Sequence, residues 1–200
     1  MKIYSWNING MRAVVRKGEI QKFMAEHQPD IVCFQETKSE PDQLPDEIRN
    51  ITGYHSYYSY SKVKRGYSGV AIYCKVKPLS VRVGFGSDKI DPEGRTLVAE
   101  FKDLIFINCY FPNGGGVPER LTYKLDFYKK FLTYVNDIRK KNPKKTIVFA
   151  GDVNVAHNPI DLARPKENET HVGFLPIERA WMDKVVSHDW VDVWRTRNPN

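Results

Sequence analysis

Residues 54–110 read YHSYYSYSKVKRGYSGVAIYCKVKPLSVRVGFGSDKIDPEGRTLVAEFKDLIFINCY, and this stretch decides the class of fold. Its apolar residues fall in short runs over 54–60, 68–76, 79–85, 95–101 and 104–110. These are rich in Val, Ile, Tyr and Phe and are punctuated by Gly, Pro, Asp and Ser, the pattern of successive strands and turns. A parallel doubly wound sheet needs a helix after nearly every strand, and none fits here. Working outward, three more strands fit 2–7, 30–35 and 146–151. Helices fit 18–27, 118–141 and 176–187; the longest carries Leu121, Leu125, Tyr128, Leu132, Val135 and Ile138 at steps of three and four, with Pro118 in its first turn and Asn142-Pro143 at its end. Many strands and a few long helices predict an α/β protein built as a two-sheet sandwich flanked by helices. No Ser/Gly-rich linker or composition shift interrupts the 200 residues, so a single domain over 1–200 is expected.

Composition excludes several classes. Hydrophobic residues at 41% and charged residues at 28% are globular proportions, not those of a disordered or fibrous chain. No apolar run approaches the ~18 residues of a membrane span, and Met1 to Trp6 enters strand-like sequence without a signal-peptide pattern. Cys33, Cys74 and Cys109 each sit inside an apolar run and read as reduced core residues, which favours the cytoplasm. A formal charge of +7 makes a polyanionic partner plausible, although the cluster of Lys129, Lys130, Arg139, Lys140, Lys141, Lys144 and Lys145 also fits a solvated helix face.

Four apolar strands end on polar residues that a core does not need. Ile3 to Trp6 ends at Asn7, Ile31 to Phe34 at Gln35-Glu36, Ile105 to Cys109 at Tyr110, and Ile147 to Ala150 at Gly151-Asp152. Asn7-Ile8-Asn9 is echoed by Asp152-Val153-Asn154, as if two halves of a sandwich each delivered a turn to one place. Each residue alone fits ordinary turn chemistry. Together they supply carboxylates, amides and a phenol, oxygen donors suited to Mg²⁺ or Mn²⁺ and to hydrolysis of a phosphodiester.

The motifs WNINGMR (Trp6 to Arg12), QETK (Gln35 to Lys38), GYSGVA (Gly66 to Ala71), EGR (Glu93 to Arg95), YFPNG (Tyr110 to Gly114), GDVN (Gly151 to Asn154) and GFLPIERAWMD (Gly173 to Asp183) run the length of the chain. In this order they resemble the exonuclease III family of apurinic/apyrimidinic endonucleases, within the endonuclease/exonuclease/phosphatase superfamily. IDLARPKEN (Ile160 to Asn168) is similar to archaeal and some bacterial members, which implies a cytoplasmic, nucleoid-associated prokaryotic protein.

The resemblance implies a four-layered αββα sandwich that cleaves double-stranded DNA on the 5′ side of abasic sites with Mg²⁺ or Mn²⁺. It also implies 3′→5′ exonuclease and 3′-phosphodiesterase action on 3′-blocked ends, by a monomer with no membrane partner. Glu36 is implied as metal ligand with Asn7 beside it, Asp152 as the group that orients or deprotonates water, Asn154 as a contact to the scissile phosphate, and Tyr110 as acting on the phosphate or leaving group. Arg12, Lys38, Gly66, Tyr67, Arg95, Asn113 and Asn168 are implied in DNA contact, types that bind phosphate without reading bases.

The chain departs from the family in places. Asn9 stands where many relatives carry Asp, Gly115-Gly116 offers no basic side chain at the lesion, and Arg164 and His171 replace residues that are often Asn. Relatives close with an Asp/His element, which does not appear before residue 200. The sequence therefore resembles a C-terminally truncated member lacking strands of its second sheet, and Ser187-His188-Asp189, at a helix end, is not its substitute. Two further readings stay open: a DNA-binding protein without turnover, and a phosphatase of the same superfamily acting on small phosphoesters.

Overall fold

The computed structural model describes residues 1–199. The chain resolves into two compact units, each of two segments. One comprises Met1–Tyr110 with Lys141–Asp152, and the other comprises Phe111–Lys140 with the chain from Val153 onward.

All eight expected strands form, and all lie in the first unit. They are β1 (Ile3–Asn7), β2 (Ile31–Gln35), β3 (His55–Ser59), β4 (Val70–Cys74), β5 (Ser80–Val83), β6 (Thr96–Glu100), β7 (Leu104–Tyr110) and β8 (Thr146–Asp152). They make two mixed four-stranded sheets, ordered β1-β2-β4-β3 and β5-β6-β7-β8. Read from β3 and from β5, each sheet has two antiparallel pairings and then one parallel pairing, β2 with β1 or β7 with β8. The echo between Asn7-Ile8-Asn9 and Asp152-Val153-Asn154 is thus also an echo in topology.

The strand period of two explains how β2 and β4 are buried along their whole length. Ile31, Cys33, Val70, Ile72 and Cys74 face Leu97, Ala99, Leu104 and Phe106 of the second sheet. On the other face, Val32, Phe34, Ala71 and Tyr73 pack with Met11 and Val15 of α1 (Met11–Arg16), Ile20 and Met24 of α2 (Glu19–His27) and Ile48 of α3 (Asp46–Arg49). The first unit therefore has a helical layer and two sheet layers. Burial raises the thiols of Cys33 and Cys109 to about 12 and that of Cys74 to about 11, and all three are free cysteines in the core. Among the described residues, no helix is long and apolar enough to cross a membrane.

A buried polar residue joins the sheets in the core. Asn108 in β7 is fully buried; its Nδ2 donates to the carbonyls of Phe34 (3.0 Å) and Ala71 (2.9 Å), and its Oδ1 accepts from Gln35 Nε2 at 2.9 Å. Asn108→Ala should cost about 1–3 kcal/mol in urea denaturation, because it strips buried partners of their hydrogen bonds. A change below about 0.5 kcal/mol would show that the cross-sheet bonds carry no net stability.

The second unit is helical: α4 (Pro118–Lys141), α5 (Pro165–Asn168), α6 (Pro176–Ser187) and α7 (Val193–Arg197). Phe111 packs on Phe127, Tyr128 and Phe131 of α4 and Trp181 of α6, and Trp181 stacks on Tyr128 at 4.1 Å while donating to its carbonyl. His188 caps the C-terminus of α6, in keeping with its expected place at a helix end.

Candidate active site

The parallel pairings place the four expected strand ends together. Asn7 lies opposite Gln35, one residue before Glu36, and Tyr110 lies opposite Asp152. Asn7 links the two sheets: its Nδ2 donates to Glu36 Oε1 at 2.9 Å and to Asp152 Oδ2 at 2.7 Å. Its Oδ1 accepts from the backbone N–H of Asn9 at 3.0 Å, which fixes the amide. The Tyr110 hydroxyl donates to the Glu36 carboxylate. Asn7, Glu36, Tyr110 and Asp152 therefore form one cluster within the first unit.

The backbone around this cluster is unusual. Asn9, Glu36, Lys38 and Ser68 all have φ between 44° and 54°. Non-glycine residues held there cost roughly 1–3 kcal/mol each and concentrate at functional sites. Hydrogen bonds hold the strained turns in place: Gly10 N–H donates to the Glu36 carbonyl (2.7 Å), Met11 N–H to Thr37 (2.8 Å), and Lys38 N–H to Ser68 (2.8 Å). Gly151, at φ 139°, lies so near β7 that a Cβ would stand 1.9 Å from the Cys109 carbonyl oxygen. A glycine is what allows β8 to deliver Asp152 beside Tyr110.

The electrostatics suit a cation. Partial burial raises the Glu36 pKa, but hydrogen bonds from Asn7, Lys38 and Tyr110 outweigh it and hold the carboxyl below its usual range. The Tyr110 phenol is shifted upward by burial and by the Glu36 carboxylate, so it stays protonated and able to donate. Lys38 Nζ lies 2.9 Å from Glu36 Oε2 and 2.5 Å from Asn9 Oδ1. Among the described residues no cluster of three or more His, Cys, Asp and Glu occurs, so a closed transition-metal site is absent from them. An amide with two carboxylates instead fits a hard cation that keeps several waters, as Mg²⁺ does.

The expected DNA contacts divide between the units. Arg12 is exposed on α1, Gly66 is exposed, and Lys38 and Tyr67 are half-buried. Arg95 is only 2% exposed, with its guanidinium bonded to Glu93, Tyr67 and Tyr110.

In the second unit, Asn113 is exposed and its Oδ1 accepts from Gly115 N–H at 2.9 Å, and Asn168 donates to the Arg164 carbonyl at 2.7 Å. Asn154 Nδ2 donates to the Phe111 carbonyl at 2.9 Å. Lys124 Nζ donates to the Asn154 carbonyl (2.6 Å) and pairs with Glu178 Oε1 (2.5 Å). Glu93, Asn108 and Lys124 were not singled out by sequence reasoning. The acidic residue beside Arg95 in EGR, and the polar letters inside apolar patterns at the other two positions, were the available signals.

A family model described as the Endonuclease/Exonuclease/phosphatase family matches residues 4–200. Recombination repair protein 1 of Drosophila melanogaster is 40% identical over 200 residues, covering 100% of this chain and 29% of that protein. An exodeoxyribonuclease of Bacillus subtilis is 37% identical over 200 residues, 100% of this chain and 77% of that protein. An AP endonuclease structure from Archaeoglobus fulgidus superposes with a TM-score of 0.88 at 32% identity, over 100% of this chain and 75% of that one.

Proposed function

Because the chain belongs to the endonuclease/exonuclease/phosphatase family, among the exonuclease III-type AP endonucleases, we infer that it hydrolyses the phosphodiester 5′ to abasic sites in duplex DNA. We extend the same reading to 3′→5′ exonuclease and 3′-phosphodiesterase action. The observation that carries it is the meeting of Asn7, Glu36, Tyr110 and Asp152 at four strand ends.

The family's nucleases use a divalent metal, and here Glu36 with Asn7 would hold Mg²⁺ or Mn²⁺. When bound, the cation neutralises phosphate charge. Asp152 orients the attacking water and accepts its proton. Tyr110, kept protonated, donates to the developing negative charge on the phosphate or leaving oxygen. Asn154 donates to the scissile phosphate. Arg12 and Lys38 bind backbone phosphates, Gly66 and Tyr67 meet the minor groove, and Asn113 and Asn168 contact the strand; none of these reads sequence.

A second reading is a DNA-binding protein without turnover. It is favoured by the place of the first unit's two histidines. His55 opens β3, at the end away from the cluster, and His27 packs on Tyr4 and Phe23.

The experiment is nicking of a duplex with one abasic site, in Mg²⁺ and in EDTA. It compares the 200-residue chain with one lengthened by the corresponding C-terminal segment of the B. subtilis exodeoxyribonuclease. Mg²⁺-dependent nicking on the 5′ side is the expected result. Equal rates would show that the 200 residues carry the whole centre. No nicking by either would overturn the nuclease reading.

A further inference from the structure

Arg95 is the largest side chain among those less than 2% exposed at the side chain, and the reaction as derived gives it no direct part. Its Nε donates to Glu93 Oε2 at 2.5 Å, its Nη1 to the Tyr110 carbonyl at 3.1 Å, and its Nη2 to the Tyr67 hydroxyl at 2.7 Å. Its guanidinium carbon also lies 4.9 Å from the centre of the Tyr110 ring and 5.4 Å from that of Tyr67. One buried cation therefore touches two tyrosines 43 positions apart in the chain. Tyr110 bonds the Glu36 carboxylate, and Tyr67 belongs to the Gly66-Tyr67 turn. Glu93 balances the charge, which leaves a phosphate little to neutralise.

We propose that Arg95 is a positioning residue that locks Tyr67 and Tyr110 into one rigid unit, coupling the surface that meets the duplex to the centre that cuts it. The proposal rests on the nuclease reading. A planar guanidinium serves three acceptors in fixed directions and stacks on aromatic faces, which a lysine ammonium does not do. The charge on residue 95 is thus incidental to DNA binding, whereas its shape is essential.

The salt dependence of DNA affinity separates the two roles. Each phosphate contact adds about −0.9 to the slope of log affinity against log salt. The measurement is fluorescence anisotropy with a duplex holding a tetrahydrofuran abasic analogue, in EDTA, over a series of salt concentrations. It compares wild type with Arg95→Met, Arg95→Lys, Tyr67→Phe and the double variant Tyr67→Phe/Arg95→Met, with Arg12→Met as the phosphate-contact control.

Arg12→Met should flatten the slope by about one. Arg95→Met should weaken affinity about tenfold, the worth of a charge-assisted hydrogen bond, with an unchanged slope. Arg95→Lys should lose nearly as much, despite keeping its charge. In the Tyr67→Phe background the loss from Arg95→Met should shrink severalfold, a coupling that general loosening of the fold would not produce.

A slope flattened by about one in Arg95→Met would overturn the proposal, as would near-wild-type affinity in Arg95→Lys, which stands as the test should Arg95→Met fail to fold. Should wild type fail to bind the duplex at any salt, the nuclease reading itself falls, a result distinct from either.

Discussion

Replacing Lys124 with methionine is expected to destabilise the second unit by about 3–5 kcal/mol, the usual cost of leaving one buried charge without its partner. Lys124 and Glu178 are both fully buried, and their Nζ and Oε1 are 2.5 Å apart. Every other polar atom of the pair is engaged in holding backbone: Lys124 binds the Asn154 carbonyl, and Glu178 Oε2 accepts the N–H groups of Gly173 (2.7 Å) and Leu175 (3.1 Å) at the start of α6. The ion pair thus ties α4 to α6 and to the turn that carries Asn154. Glu178→Leu should cost a similar amount and also strip the N-terminus of α6. Lys124→Met/Glu178→Gln should cost less than Lys124→Met alone, because the remaining amide still accepts both N–H groups without an isolated charge. Urea denaturation of the three variants checks this. A loss below about 1 kcal/mol for Lys124→Met would mean that the buried pair is replaceable by packing.

The elements were legible in the sequence because most are long or strongly patterned. Ile31 to Phe34 is apolar throughout, and Leu104 to Tyr110 is so apart from Asn108, because both faces are covered, and α4 and α6 run over the residues their periodicity marks. The six-residue α1 was not legible. It begins after Gly10 without a side-chain cap and gains its stability from burying Met11 and Val15 rather than from propensity.

The strand-end cluster could be read because each polar residue interrupts an apolar run. Side-chain direction could not. Arg95 has the letter of a surface cation, and only Glu93, Tyr67 and Tyr110 around it show that it is held inside. Lys124 sits at a step of the α4 pattern otherwise filled by Leu121, Leu125 and Tyr128, and its acidic partner lies 54 residues away. Pairings at such separation leave no periodic trace.

Lys129, Lys140 and Lys144 are exposed, Lys130 pairs with Asp126 one helical turn away, and Lys145 pairs with Glu100. The net charge of +7 assists encounter without marking the site.

The second large effect is expected at Glu36. Its carboxylate receives hydrogen bonds from Asn7, Lys38 and Tyr110, which keep it ionised, and alanine there removes the oxygen donors on which a hard cation depends. Nicking in Mg²⁺ should fall by ~10³ or more, since charge neutralisation at the phosphate supplies much of the acceleration in such chemistry. Binding of the metal can be measured apart from turnover, by titrating Mn²⁺ into the apo protein and following the free ion by electron paramagnetic resonance. Wild type should hold one Mn²⁺ at the strand-end cluster, and Glu36→Ala should bind it at least tenfold more weakly with its fold intact by circular dichroism. Equal Mn²⁺ affinity in the two proteins would contradict a metal centre at Glu36 and Asn7.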